Sequence, residues 1–217
     1  MPQPLERVND FVVKFANVNG SGSSSANALF GKSILRMGVP VSPRNIFPSN
    51  IQGLPTWYEV RISEAGYLGA RGGVDLMVAM NPQTWAEDVA SIEPGYYLFH
   101  DSTKPLPRSL LRDDIRVIGA PLTEICNRTY SDPRQRQLFK NIMYVGVLAQ
   151  LLGIPTETVE RLLKEEFASK PKLIGANLEA FHLGRDYAEQ NLPPIAFTLS
   201  PLDKVGKVFD VVGMIDI

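Results

Sequence analysis

Residues 74–80 read VDLMVAM, apolar at every position but Asp75. A half-exposed strand alternates apolar and polar residues, whereas a nearly unbroken apolar run suits a strand buried on both faces, as in the middle of a parallel sheet. Helices must then cover both sides of that sheet, which makes the chain a layered α/β protein. The flanking pattern agrees. Further strands are expected at residues 10–16, 57–63, 96–101 and 115–119. A first helix is expected from a cap at Ser24 or Ser25 to about Met37, with Ala26, Phe30, Ile34 and Met37 on one face. Other helices fall at 84–90, 122–130, 134–152, 156–168 and 172–191. Within 134–152, Leu138, Ile142, Val145, Ala149 and Leu152 keep helical spacing, and Met143, Val147 and Leu151 widen the stripe, so that helix should be deeply buried.

Charge and cysteine usage remove whole classes of function. A net charge of −1 and the lack of a concentrated basic stretch speak against nucleic-acid or anionic-membrane binding. A single cysteine, Cys126, permits no internal disulfide and supplies one of the four thiolates that an iron–sulfur cluster typically needs. With no signal-peptide pattern and no apolar run near about 18 residues, the expected home is the reducing cytoplasm. His100 and His182 stand alone, and no serine has an evident histidine and aspartate partnership. No catalytic residue and no metal ligand is expected.

The stretch Asn17-Val18-Asn19-Gly20-Ser21-Gly22-Ser23-Ser24-Ser25 lies between the first strand and the first helix. In an open parallel sheet this turn is a common phosphate site, because glycines let the backbone approach an anion and the helix dipole favours negative charge. The third glycine of a dinucleotide fingerprint is replaced by Ser25, and no acidic residue stands out about twenty positions on, which speaks against NAD. Gly31-Lys32-Ser33 falls inside the expected helix and is no phosphate loop. The pattern alone leaves two readings of residues 20–25 open: a phosphate cradle, or a tight turn without ligand. Residues 45–54 (NIFPSNIQGL) are too irregular for a core element and fold over the first loop or run along the surface. Asn81 ends the most buried strand, where a binding edge or a plain turn is expected.

Taken in order, five features resemble one family. They are the strand, Gly/Ser loop and helix over 11–37, the segment 47–63 (FPSNIQGLPTWYEVRIS), the strand and exit 75–83 (DLMVAMNPQ), residues 140–146 (KNIMYVG), and Asn177, Ala180 and Gly184. The set resembles the gamma domain of 2-oxoacid:ferredoxin oxidoreductases, especially the form fused at the N-terminus of the alpha subunit of 2-oxoglutarate:ferredoxin oxidoreductase. The resemblance spans roughly residues 9–191. It implies a Rossmann-like sheet, and an enzyme complex that oxidatively decarboxylates a 2-oxoacid, joins the acyl group to coenzyme A and passes electrons to ferredoxin. Thiamine diphosphate and iron–sulfur clusters would belong to other domains or subunits. Coenzyme A would face Gly20, Ser21, Gly22, Ser23 and Ser24, with Ser49, Asn50, Gln52 and Gly53 from the neighbouring loop and Asn81 beside them. Gln52-Gly53-Leu54 stands where many relatives carry Arg-Gly-Gly, and Gly20-Ser21-Gly22-Ser23 where many carry Gly-Gly-Gln-Gly.

Residues 1–192 are therefore expected to form a gamma-type α/β domain with a helical C-terminal half. Residues 193–217, which open with Pro193-Pro194 and carry the apolar residues Phe197, Leu199, Val205, Val208 and Phe209, are expected as an apolar tail or a connection to a following domain. Within it, residues 196–217 are expected to order mainly against a partner, whether another copy or a neighbouring domain, the resemblance implying thiamine diphosphate-binding domains or subunits as partners. The isolated chain is expected to be inactive. The alternative is an assembly module with no ligand of its own.

Overall fold

The computed structural model describes residues 6–48 and 51–203. In chain order the elements are β1 (Arg7–Val8), β2 (Asp10–Val18), α1 (Ser23–Arg36), β3 (Val41–Ile46), β4 (Pro55–Ser63), β5 (Val74–Ala79) and α2 (Trp85–Ala90). They continue with β6 (Ile92–Asp101), β7 (Arg116–Ala120), α3 (Leu122–Thr129), α4 (Pro133–Leu152), α5 (Thr156–Glu166), α6 (Ile174–Asn191) and β8 (Phe197–Thr198). The main sheet has six strands in the order β3-β4-β2-β5-β6-β7. Strands β2, β5, β6 and β7 pair in parallel, while β4 runs antiparallel to both of its neighbours. One strand alone opposes the others, so the sheet is mainly parallel. The apolar run lies at its centre as β5, buried at all six positions.

Helices cover both faces. Phe15 of β2 meets Phe30 of α1 and Tyr144 of α4, at ring-centroid distances of 5.2 and 5.9 Å. Its neighbour Ala16, on the opposite face, pairs with Trp57, whose indole N–H donates to Asp88 of α2 at 2.8 Å. On the first face α4 is buried from Phe139 onward along most of its length and packs on α6 through two glycines, whereas Leu138, expected in the buried stripe, stays exposed in the solvent-facing first turns. A Cβ on Gly184 would lie 2.0 Å from the carbonyl oxygen of Met143, and one on Gly146 would lie 2.1 Å from that of Phe181. The two backbones approach as closely as they do because neither carries a side chain at the crossing.

Three sequence expectations change. No serine side chain caps α1; the helix starts at Ser23, with Gly22 as its N-cap in the left-handed region at φ 79°. Residues 45–46 are not loop but the end of β3, a strand that includes Pro43 and is tolerated because it forms the sheet edge. The segment after Leu192 is not ordered solely against a partner. Phe197 and Leu199 are buried, Phe197 stacks on Phe11 at 5.0 Å, and β8 pairs in parallel with β1. Asn9, at φ 51°, fixes this return: its side-chain amide donates to the Ser200 carbonyl at 3.0 Å and accepts from the Ser200 N–H at 2.9 Å. The remainder of the expected tail, residues 204–217, lies outside the described residues.

Candidate functional site

Strand β2 leaves the sheet toward β3 through α1, whereas β5 leaves in the other direction through α2 to β6. Between their carboxyl ends the chain direction splits, which opens the crevice where ligands of open α/β sheets bind. The Gly/Ser loop sits at this split. Gly20 at φ 80° and Gly22 at φ 79° bend it, and the Ser21 N–H closes a turn on the Val18 carbonyl at 3.1 Å. The first-turn N–H groups of α1 have no partner within the helix, no side chain caps them, and no carboxylate stands in that turn. That end of α1 is thus positive and open.

A buried polar chain holds the loop from below. Asn141 of α4 donates to the Ser21 carbonyl at 2.9 Å, the Asn27 amide donates to the Asn17 side chain at 3.0 Å, and the Tyr144 hydroxyl donates to Asn27 at 2.7 Å. Burial pushes the Tyr144 phenol well above its ordinary pKa, so it remains a donor at physiological pH. Asn81, at the exit of β5, does not line the cavity beside the loop: it is buried, donating to the Asn17 carbonyl at 3.4 Å and accepting from the Gln83 N–H at 3.1 Å. The sequence reading missed Asn17, Asn27, Asn141 and Tyr144. Their signal was present, as polar side chains inside otherwise apolar stripes.

The second loop does fold over the first. Asn19 exchanges backbone hydrogen bonds with Leu54 and Gly53 at 2.8 and 3.0 Å, and its side chain donates to the Ile51 carbonyl at 3.2 Å. The Gln52 side chain lies over Gly20, where a Cβ would come 2.7 Å from its Cγ. Gln52 and Gly53 are therefore brought to the loop, while Ser49 and Asn50 lie outside the described residues. Between the loops, the start of α1 and the ends of β3 and β4 lies a cavity of about 380 Å³. Gly20, Gly22, Ser23 and Ser24 line it, joined by Asn45 and Phe47 where β3 runs into the second loop. Ser21 turns inward instead, its carbonyl accepting from Asn141 and its hydroxyl donating to Ser23 at 3.1 Å. Among the described residues that line the cavity there is no lysine or arginine.

Two other hollows offer less. A groove of about 370 Å³ between α1 and α5 is flanked by the paired charges Arg36–Glu165 (3.1 Å) and Lys32–Glu166 (3.7 Å), which satisfy one another. A cavity of about 280 Å³ at the ends of β5 and β6 contains Lys140, already 3.8 Å from Asp101, and Asp101 itself accepts the Thr123 N–H at the start of α3. Beside it His100 is buried against Trp85, and burial lowers its pKa. Among the described residues no cluster of three or more His, Cys, Asp or Glu side chains is placed to hold a metal ion, and no helix is long and apolar enough to cross a membrane.

Comparison with known proteins places this architecture. The alpha subunit of 2-oxoacid:ferredoxin oxidoreductase 2 from Aeropyrum pernix is 24% identical over 90% of the chain, which matches 39% of that subunit. The 2-oxoglutarate oxidoreductase subunit KorA of Mycobacterium tuberculosis is 24% identical over 85% of the chain and is matched over 32% of its length. The chain thus spans two fifths or less of these relatives. Among solved structures, the 2-oxoglutarate:ferredoxin oxidoreductase of Magnetococcus marinus, with 2-oxoglutarate, coenzyme A and succinyl-CoA bound, superposes with a TM-score of 0.80 at 22% identity. That match covers 90% of this chain and 34% of the other. The pyruvate oxidoreductase subunit PORC of Thermotoga maritima superposes with a TM-score of 0.65 at 19% identity, over 82% of this chain and 96% of that subunit. Residues 12–187 match the family model for pyruvate ferredoxin/flavodoxin oxidoreductase, and the chain belongs to that family.

Proposed function

We propose that this chain provides the gamma-type domain of a 2-oxoacid:ferredoxin oxidoreductase and assists coenzyme A-dependent oxidative decarboxylation of a 2-oxoacid such as 2-oxoglutarate. The observation that carries the reading is the uncapped N-terminus of α1, opening with Ser23 and Ser24 onto a cavity at the topological split. Phosphate oxygens of coenzyme A would accept from the loop and first-turn N–H groups, with serine hydroxyls as further donors. Gln52 and Gly53 would close the site from above. Thiamine diphosphate, iron–sulfur clusters and the contact with ferredoxin fall to other domains or subunits of the complex. Within such an assembly this chain binds and orients the acyl acceptor.

The lack of a cation among the described lining residues favours a second reading, an assembly module whose loop holds nothing. Ser24→Glu separates the two. Ser24 is exposed in the first turn of α1, where a carboxylate is favourable with the helix dipole by about 0.3–1 kcal/mol. The same charge repels a phosphate. The melting temperature of the free protein should hold or rise while calorimetric titration shows weaker coenzyme A binding. If the wild-type chain takes up no coenzyme A, the assembly module becomes the better reading.

A further inference from the structure

Asn45, near the end of β3, and Phe47, just after it, line the cavity wall although no ligand role has been given to either. Asn45, in β3, pairs across the sheet with Tyr58, and Asn45, Phe47 and Tyr58 all line the same cavity. Phe47 keeps 51% of its surface exposed. An aromatic ring with an open face at a cavity mouth offers a stacking platform for a flat ligand group. Beside it, the Asn45 amide presents a donor and an acceptor side by side, the pattern that matches the N6 and N7 edge of adenine. Ser23 and Ser24, at the positive end of α1, lie on the same cavity, so a base on Phe47 can extend its phosphates toward them. The volume, about 380 Å³, is at the lower end of ligand sites (roughly 300–1,000 Å³) and suits a nucleotide better than a whole coenzyme.

We propose that Asn45 and Phe47 form an adenine subsite that selects the adenosine end of coenzyme A. This rests on the coenzyme A reading above and adds to it the source of recognition. With no cation among the described lining residues, discrimination falls on the base and not on phosphate charge. Coenzyme A should therefore bind more tightly than 4′-phosphopantetheine, which keeps the arm and one phosphate but lacks adenosine and its two phosphates; the Phe47 variants assign the difference to the base.

The test is calorimetric titration of the full chain and its Phe47→Ala, Phe47→Trp and Asn45→Leu variants with both compounds. Base stacking of the usual strength predicts that Phe47→Ala weakens coenzyme A about tenfold or more and leaves 4′-phosphopantetheine unchanged. Phe47→Trp should retain binding, and Asn45→Leu should lower it for coenzyme A alone. Melting curves check folding, which an exposed residue should not disturb. If coenzyme A binds the wild type and all three variants equally, the adenine subsite is overturned and the coenzyme A reading stands. If the wild type does not bind coenzyme A, that reading falls and the subsite with it.

Discussion

At Gly22 the backbone matters before any ligand does. The residue sits at φ 79°, and a Cβ there would lie 2.5 Å from Cδ2 of Leu138. Gly22→Val therefore strains the free protein, by about 1–3 kcal/mol from the backbone alone. Its melting temperature should drop before coenzyme A is added; an unchanged melt would show that the loop relaxes freely. Loss of binding in this variant says nothing about phosphate, which is why an exposed position such as Ser24 is the better probe. His100 offers a second test at the same scale. Burial lowers its folded pKa below the unfolded value near 6.5. Below that value the unfolded chain takes up a proton that the folded chain resists, so stability is full above about pH 6.5 and falls as pH drops toward the folded pKa. Urea denaturation at a mildly alkaline and a mildly acidic pH should show this loss, and His100→Gln should lessen it. An equal loss in the variant would mean that other groups carry the pH dependence. The sequence flagged Gly20, Gly22, Ser23 and Ser24 because glycines and serines between a strand and a helix form a recognisable pattern. It gave no hint that Ser21 turns inward, since that depends on Asn141, 120 positions away along the chain.

Between elements, the α4–α6 crossing sets a sharp constraint. A methyl on Gly184 meets a main-chain carbonyl, which cannot swing aside as a side chain can. Gly184→Ala should cost about 1–3 kcal/mol, despite alanine's higher helix propensity. Gly175, in the first turn of the same helix, has nothing within 4 Å, so Gly175→Ala should be neutral or stabilise by up to about 1 kcal/mol. Chemical denaturation of both variants checks the pair; equal effects would remove the close crossing from the account. Strand β5 and the part of the α4 stripe from Ile142 on were legible because burial leaves an unbroken or helically spaced apolar pattern; Leu138 shares that spacing but lies in the exposed start of the helix. Strand β3 was not, because an edge strand with Pro43 and exposed Arg44 and Asn45 carries neither signal. Strands β1 and β8 are two residues each, too short for any periodicity. The contact between the two loops runs largely through backbone hydrogen bonds at Asn19, which no side-chain pattern announces.

For the whole molecule the question is which steps of the reaction one such domain can perform. Oxidative decarboxylation needs a group that stabilises the carbanion left by carbon dioxide, and a relay that carries electrons away. In the proposed complex, thiamine diphosphate supplies the first and iron–sulfur clusters the second. This chain has one cysteine, Cys126, which is buried and whose thiol burial pushes up to about 11, so it is neither a cluster site nor a reactive nucleophile. His100 is buried and burial lowers its pKa, and His182 sits 2.9 Å from Glu160 on the facing helix α5. What the chain does offer is a positive helix end over a cavity, an arrangement suited to binding an anion. The purified chain should therefore give no turnover with 2-oxoglutarate, coenzyme A and a viologen dye, while titration still registers coenzyme A uptake. Supplying the thiamine diphosphate-binding and iron–sulfur subunits of a relative that lacks its own gamma domain should restore turnover. Restored turnover should then weaken with Ser24→Glu, which would place a charge at the proposed coenzyme A site while the melting temperature holds. Dye reduction by the isolated chain at the rate of a complete complex would place the chemistry within these 217 residues and overturn the assignment.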